Sequence, residues 1–146
     1  MELGYRHVAV LDVAPSSLDL ARRRLGAHAD RVTWVVGDVL DVELPELVDV
    51  WHDRAVFHFL TEPDDVENYA RRAAAALRPG GMLVIGTFAL DGPDRCSGLP
   101  VVRYDASSLS DALGGPFDPE DACDEVHVTP TGVTQPFQYA TFRRRS

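Results

Sequence analysis

The sequence contains no lysine. All fourteen of its basic residues are arginine, they stand against 23 acidic residues, and the formal net charge is −9. Nucleic acids and anionic membranes are held by clustered cations, and a chain this acidic offers no large positive field for either. We therefore expect small-molecule or protein partners, with no nucleic acid and no membrane.

Cysteines and long apolar runs are also scarce. Cys96 and Cys123 are the only cysteines, and neither lies in a Cys-x-x-Cys pair or near a histidine at metal-ligand spacing, so we expect reduced thiols and no metal site. The longest apolar stretch, residues 82–90, falls far short of the roughly 20 residues that span a bilayer. The first residues lack the cationic start and apolar centre of a signal peptide. These features predict a cytoplasmic protein.

Length and patterning fit one domain over residues 1–146, built from alternating strands and helices. Strands are predicted at residues 6–12, 32–36, 48–53 and 82–90, and helices at about 16–25 and 63–77. Ser16 or Ser17 is the expected cap of the first helix, and Gly26 is its expected end. This alternation predicts an α/β fold with a mostly parallel sheet and helices on both faces.

The last third of the chain follows a different pattern. Residues 91–103 contain several breakers and no regular periodicity, and we interpret them as a lid on the substrate side. A helix is predicted at residues 105–113. Two strands at 122–129 and 136–143, joined by a tight turn at 130–132, are expected to pair antiparallel.

Polar residues follow the predicted parallel strands where each strand ends. Asp12 ends the first strand and Asp38 follows the second, and ligands of open parallel sheets bind at these carboxyl ends. Asp12 can accept hydrogen bonds from ribose hydroxyls, and Asp38 can accept one from an adenine amino group. Either acid alone is equally well explained as a turn or helix cap, whereas the two together favour a nucleoside site.

The segments in their order resemble the class I S-adenosylmethionine-dependent methyltransferases, from the second strand of that fold to the seventh. The matching segments are VAVLD, SSLDLARRRL, VTWVVGD, VDVWHDRAVFHFL, LRPGGMLVIGTF, CDEVHVTP and QPFQYATFRR. The resemblance implies a Rossmann-like fold with an antiparallel C-terminal strand pair, S-adenosylmethionine as the cofactor and a methyl acceptor that we expect to be a small molecule. The arginine bias, typical of a GC-rich genome, adds the expectation of a bacterial source.

The resemblance also implies a role for individual residues. Asp12 would bind the cofactor ribose, Asp38 the adenine amino group, and the backbone at Val39 the adenine ring. Asp53 would lie beside the methionine end of the cofactor. Val13 and Arg54, next to these acids, complete the predicted cofactor site.

Two histidines are the candidate catalytic bases. A methyl group on a sulfonium is already an activated electrophile, so the protein mainly aligns the acceptor and removes its proton. His58 or His52 could take that proton. The alternative for both is structural, because His52 can be a hydrogen-bonded buried residue and His58 lies between Phe57 and Phe59.

A glycine-rich loop after the first strand cradles the methionine part of the cofactor in this family, and the 146 residues contain no Gly-x-Gly. We interpret residues 1–5 as the last turn of the first family helix, ending at Gly4, so that the first strand and loop are missing. In a family strand order of 3-2-1-4-5-7-6, that strand would be central. The chain would then close the gap, borrow a strand from a second copy, or stay loosely packed, and we expect it to be inactive alone.

Two other functions remain open at this point. A nicotinamide-dependent oxidoreductase also places an acid after its second strand. A non-catalytic remnant that keeps the methyltransferase shape as an interaction module would need neither cofactor. Titration with S-adenosylhomocysteine and with NAD separates the three.

Overall fold

Residues 5–44 and 46–146 are described in a computed structural model of the chain. The chain divides into two units, Met1–Glu43 and Leu44–Ser146. The predicted helical turn ending at Gly4 lies outside the described residues.

The smaller unit is one strand–helix–strand motif. It contains β1 (Val8–Asp12), α1 (Pro15–Leu25), a 3₁₀ turn (Gly26–Arg31) and β2 (Val32–Val36). The two strands pair in parallel, in a register that runs from Val8 opposite Val32 to Asp12 opposite Val36. The predicted parallel pairing of these two strands is therefore confirmed.

The first helix starts differently from the prediction. Ala14 is its N-cap, no side chain caps it, and Pro15 occupies the first turn. Proline is favoured there because its fixed φ angle suits a helix and its missing N–H would have no partner. The proposed capping by Ser16 or Ser17 is wrong, whereas Gly26 ends the helix with a φ of 53°, as predicted.

The larger unit contains a four-stranded sheet in the order β3-β4-β8-β7. Its elements are β3 (Val48–Arg54), a 3₁₀ turn (Phe57–Phe59), α2 (Pro63–Ala76), β4 (Leu77–Phe88), β5 (Arg95–Cys96), β6 (Leu99–Pro100), α3 (Ala106–Leu113), β7 (Phe117–Val128) and β8 (Thr134–Arg144). β3 and β4 are parallel, whereas β8 is antiparallel to both β4 and β7. The predicted antiparallel closing pair is confirmed, and each strand is longer than expected.

The segment LRPGG turns the chain from α2 into β4 within very few residues. The helix ends at Ala76, and Leu77 already pairs with Val48 before the register shifts. A Cβ on Gly81 would lie 2.8 Å from the Arg78 carbonyl oxygen, so the close turn requires a residue without a side chain. The C-terminal arginines fix this turn from β8, where Arg144 Nη1 donates to the Leu77 carbonyl at 2.6 Å.

The segment predicted to be irregular, residues 91–103, forms a two-stranded hairpin of β5 and β6. Ser97 and Gly98 make its turn with φ angles of 51° and 80°. Adjacent positive φ angles are typical of the tight turns that join antiparallel strands. The expectation of no regular structure is therefore wrong, whereas a lid role for this segment stays a prediction.

Candidate functional site

The smaller unit brings the two predicted nucleoside-binding acids to neighbouring strand ends. Asp12 is the last residue of β1 and lies opposite Val36 of β2. The Gly37 amide donates to the Asp12 carbonyl at 3.1 Å, which holds the start of the Asp38 turn against the end of β1. The juxtaposition expected from the carboxyl ends of parallel strands is present.

Each acid also shapes its own loop. Asp12 Oδ1 accepts from the Ala14 amide and Asp38 Oδ1 from the Leu40 amide, both at 2.8 Å. Within the described residues no hydrogen bond reaches the Oδ2 atom of either acid. Each carboxylate therefore keeps one acceptor oxygen, and the ribose hydroxyls and adenine amino group of a nucleoside are donors. The residues present fit the adenosine part of S-adenosylmethionine.

The two valines of the predicted cofactor site differ in exposure. Val13 is 66% exposed, directly after Asp12, whereas Val39 is only 8% exposed, directly after Asp38. The buried Val39 side chain anchors the turn, which leaves its backbone as the part suited to contact with an adenine ring.

The larger unit contains Asp53 inside a buried hydrogen-bond network. Asp53 is 4% exposed. Its Oδ2 accepts from the Tyr69 hydroxyl at 2.7 Å, and its Oδ1 accepts from the Val56 and Phe57 amides at 3.0 and 3.3 Å. Trp51 Nε1 completes the network by donating to the Tyr69 oxygen at 3.1 Å. Both carboxylate oxygens are thus used inside the protein, and the geometry supports a positioning role for this acid.

Burial raises the pKa of Asp53, and its hydrogen bonds from Tyr69, Val56 and Phe57 act in the opposite direction. The pKa of Tyr69 is raised as well, by burial first and by the neighbouring Asp53 carboxylate second.

The hydrogen-bond network of Asp53 lies at the start of the turn that follows β3. Ala55 in this turn has a φ of 63°, a strained angle for alanine that the hydrogen bonds on either side help to hold.

His58 lies at the centre of this turn and is completely buried. Within the described part of the chain, neither imidazole nitrogen has a hydrogen-bond partner, and Thr87 Oγ1 is likewise buried without one. The rings of Phe59 and Phe88 lie 4.7 and 4.8 Å from the imidazole. The segment after β6 lies over His58, because the Val102 amide donates to the His58 carbonyl at 2.8 Å. His58 therefore has no open path to an acceptor in this conformation.

Burial lowers the pKa of His58 to about 4, so this imidazole is neutral in the folded chain where an unfolded histidine, with a pKa of about 6.5, begins to bind a proton. Between these values the unfolded state binds more protons, and stability falls as the pH falls. From pH 7.5 to pH 5 we expect His58 to account for a loss of about 2 kcal/mol in unfolding free energy. His58→Leu should remove that loss.

The measurement is urea unfolding of the chain and of His58→Leu at both pH values. The raised pKa of Asp53 has the opposite sign, because the folded state then binds the extra proton as the pH falls. Asp53 is present in both proteins, so the difference between their pH slopes isolates His58. Equal slopes would show that His58 is not held neutral by burial.

His52 and Arg54, the remaining predicted site residues, are both exposed on β3. Alternation along the strand places them on the opposite face of the sheet from Asp53. His52 is therefore the candidate base that solvent and ligands can reach. Sequence reasoning missed Tyr69 and Tyr139, which bond to Asp53 and Arg54, and no local signal reveals such partners because they come from α2 and β8.

Two kinds of feature are absent from the described part of the chain. No group of three or more metal-ligating side chains is present in it. None of its helices combines the length and the apolarity that crossing a membrane requires.

Comparison with known proteins places the chain in a family. Residues 1–81 match the methyltransferase-domain family. Nodulation protein S of Rhizobium tropici is 32% identical over 82 residues, which are 56% of this chain and 34% of that protein. Malonyl-[acyl-carrier protein] O-methyltransferase of Anoxybacillus flavithermus is 30% identical over 81 residues, which are 56% of this chain and 29% of that protein. The match thus spans about a third of each of these relatives.

A solved structure extends the likeness to the whole chain. The 1,6-didemethyltoxoflavin-N1-methyltransferase of Burkholderia thailandensis, with 1,6-didemethyltoxoflavin and S-adenosylhomocysteine bound, is similar with a TM-score of 0.73 and 25% identity. The similarity covers 99% of this chain and 64% of that one.

Proposed function

The chain belongs to the class I S-adenosylmethionine-dependent methyltransferases, and we propose that it forms part of an enzyme that methylates a small molecule. The observation that carries the proposal is the pair of acids at adjacent parallel strand ends, Asp12 and Asp38, each with one unused acceptor oxygen. A nucleoside presents donors of the kind that such a pair can bind.

The two units are, in this proposal, parts of one methyltransferase domain. The family match over residues 1–81 runs across both Met1–Glu43 and the start of Leu44–Ser146, which supports this assignment. The cysteines Cys96 and Cys123 are both free, in keeping with a reducing compartment, and we expect the protein in a bacterial cytoplasm.

S-adenosylmethionine supplies the methyl group as an activated sulfonium substituent. In our proposal Asp12 and Val13 hold its ribose, and Asp38 and the backbone of Val39 hold its adenine. The methionine end is assigned to the residues at the end of β3. Of these, Arg54 is free to contact a ligand, whereas Asp53 acts through the turn that it holds by hydrogen bonds.

Acceptor activation needs an accessible base, and His52 meets that requirement better than His58. His52 is exposed on β3, whereas His58 is fully buried beneath the segment that contains Val102. We propose that His52 takes the proton of an acceptor that has one to lose. His58 would do so only if the segment after β6 moves away.

We further propose that the 146 residues alone bind the cofactor weakly and do not methylate. They contain no Gly-x-Gly loop to supply backbone N–H groups to the methionine end. β1 pairs only with β2, and β3 only with β4, among the described strands. Each of these parallel strands has an unpaired edge, and a second copy could supply a strand to it by exchange.

A non-catalytic interaction module is the second candidate. The observation in its favour is that Asp12 and Asp38 already cap their own loops, a sufficient reason for their presence. The nicotinamide-dependent oxidoreductase has no support from the family match.

Asp12→Asn separates the cofactor role from the loop role. Asparagine keeps the oxygen that accepts from the Ala14 amide but replaces Oδ2, the atom proposed for ribose, with a donor. We expect unchanged stability and a loss of about 1.5–3 kcal/mol in adenosine-site binding, the range for hydrogen bonds to charged groups. The measurement is saturation-transfer NMR of 5′-deoxy-5′-methylthioadenosine, read at the ribose protons.

Asp19→Asn is the matched control, because Asp19 is an exposed acid on α1 of the same unit. It should leave the ribose signal unchanged. Equal ribose signals in Asp12→Asn and in the unaltered chain, with both folded, would favour the interaction module.

A further inference from the structure

We propose that Arg54 forms a carboxylate-binding site on the exposed face of the β3–β4–β8 sheet, oriented by Tyr139 and Phe137. The site itself rests on its own geometry. Only the source of the carboxylate rests on the function proposed above. That source is either the amino-acid end of the cofactor or the methyl acceptor.

The guanidinium of Arg54 is fixed from two directions. Its Nε donates to the Tyr139 hydroxyl at 2.8 Å, and its Cζ lies 4.8 Å from the centre of the Phe137 ring. Phe137 is itself held by Phe88, with ring centres 4.9 Å apart. An arginine held by a hydrogen bond and a cation–π contact loses less side-chain freedom when it binds a ligand.

The sheet register builds this cradle. Arg54 lies opposite Gly86 of β4, and Gly86 lies opposite Tyr139 of β8. A Cβ on Gly86 would lie 2.5 Å from Cε1 of Tyr139. The tyrosine ring therefore occupies the space that any other residue would fill, and from there its hydroxyl reaches Arg54 across the strand.

The charge of Arg54 has no carboxylate partner within the described residues. Other arginines, by contrast, form ion pairs with Asp or Glu, among them Arg22, Arg78, Arg143 and Arg145. The contacts of Arg54 are a phenol hydroxyl and an aromatic ring, which are neutral, and its two Nη groups have no hydrogen-bond partner in the described chain. Glu125 lies opposite Phe137 in the register but makes no ion pair with Arg54.

The site lies where a ligand is expected. Arg54 is the last residue of parallel strand β3, and ligands of open parallel sheets bind at that end. A guanidinium whose Nη groups are free matches a carboxylate with two parallel hydrogen bonds. A single arginine balances one negative charge, and the chain already carries a net charge of −9, so a monoanionic carboxylate fits better than a phosphate dianion.

The test is NMR titration of the chain with benzoate, S-adenosylhomocysteine and 5′-deoxy-5′-methylthioadenosine, which lacks the amino-acid carboxylate. Arg54→Met and Arg54→Lys are compared with Arg78→Met, which removes an arginine already paired with Asp49. We expect benzoate to bind at least tenfold more weakly to both Arg54 variants and equally to Arg78→Met. Tyr139→Phe, which removes only the orienting hydroxyl, should weaken the binding of benzoate severalfold.

The nucleoside arms identify the source of the carboxylate. If Arg54→Met weakens the binding of S-adenosylhomocysteine but not that of the methylthioadenosine, the carboxylate is that of the cofactor. If the binding of both nucleosides is unchanged while the binding of benzoate is weakened, the carboxylate belongs to the acceptor. Absent benzoate binding, or equal binding by the Arg54 variants, overturns the proposal. Failure of both nucleosides to bind counts against the proposed adenosine site at Asp12 and Asp38 and leaves the benzoate result to decide the Arg54 site.

Discussion

Asp53→Ala is expected to lower the free energy of unfolding by about 3–5 kcal/mol, because the substitution leaves several buried donors without an acceptor. The Tyr69 hydroxyl and the Val56 and Phe57 amides all donate to this carboxylate. Alanine also leaves a small cavity in the network, although this contribution is minor beside the unpaired donors. The effect should exceed that of any substitution at an exposed acid of the chain.

Tryptophan fluorescence can report this loss from the larger unit alone. The chain has two tryptophans, and a Trp34→Phe background leaves Trp51, which donates to Tyr69 within the network. Asp53→Asn is the graded control, since its Oδ1 can still accept from the two amides; we expect it to lose about 1–2 kcal/mol. If Asp53→Ala lowers the free energy of unfolding by less than about 1 kcal/mol, the structural role is contradicted and Asp53 is again a candidate for direct contact with the cofactor.

The Asp53 network links the fold to the site. The same hydrogen bonds that satisfy a buried carboxylate hold the turn that begins at Ala55, and this turn places His58 beneath the following segment. Arg54, one residue away, points to the opposite face of the sheet and is free to contact a ligand. One strand end therefore carries a structural acid and an accessible cation, separated by the alternation of the strand.

The elements predicted from the sequence are those with strong local signals. The run VAVLD, the helix ending at Gly26 and the closing antiparallel strands have clear periodicity or breakers. The Asp12 and Asp38 pair was predictable too, because parallel pairing of β1 with β2 necessarily brings their ends together.

The sequence could not predict partners that lie far apart in the chain. The sequence identifies Asp53 as a strand-end acid, but it does not reveal the hydrogen bond from Tyr69, which lies on α2, 16 residues later. Arg54 is joined to Tyr139 across 85 residues, and Gly86, the residue that makes room for the ring, has no local turn signal. Residues 91–103 were predicted to be irregular because they contain several breakers. In the structure these residues form a hairpin, and its turn depends on a positive φ angle at Ser97 as well as at Gly98.

The largest effect we expect concerns cofactor binding by the 146 residues themselves. In our proposal Asp12 and Asp38 hold adenosine, but the 146 residues contain no Gly-x-Gly loop to donate backbone N–H groups to the methionine end. Two such hydrogen bonds to a charged group contribute about 3–6 kcal/mol together. Adding a β-strand and a Gly-x-Gly loop ahead of Met1 should therefore tighten S-adenosylhomocysteine binding from about millimolar by at least a hundredfold.

Titration calorimetry of both chains with S-adenosylhomocysteine measures this difference. A third chain, with the same added strand but alanines in place of the loop glycines, separates repair of the sheet from repair of the loop. If the glycine loop supplies the affinity, the alanine version should bind no better than the 146 residues. Sedimentation velocity shows whether the 146 residues exchange strands as dimers, because the added strand should return them to monomers. Micromolar binding by the unextended monomer would contradict the prediction and show that the 146 residues bind the cofactor without a glycine-rich loop.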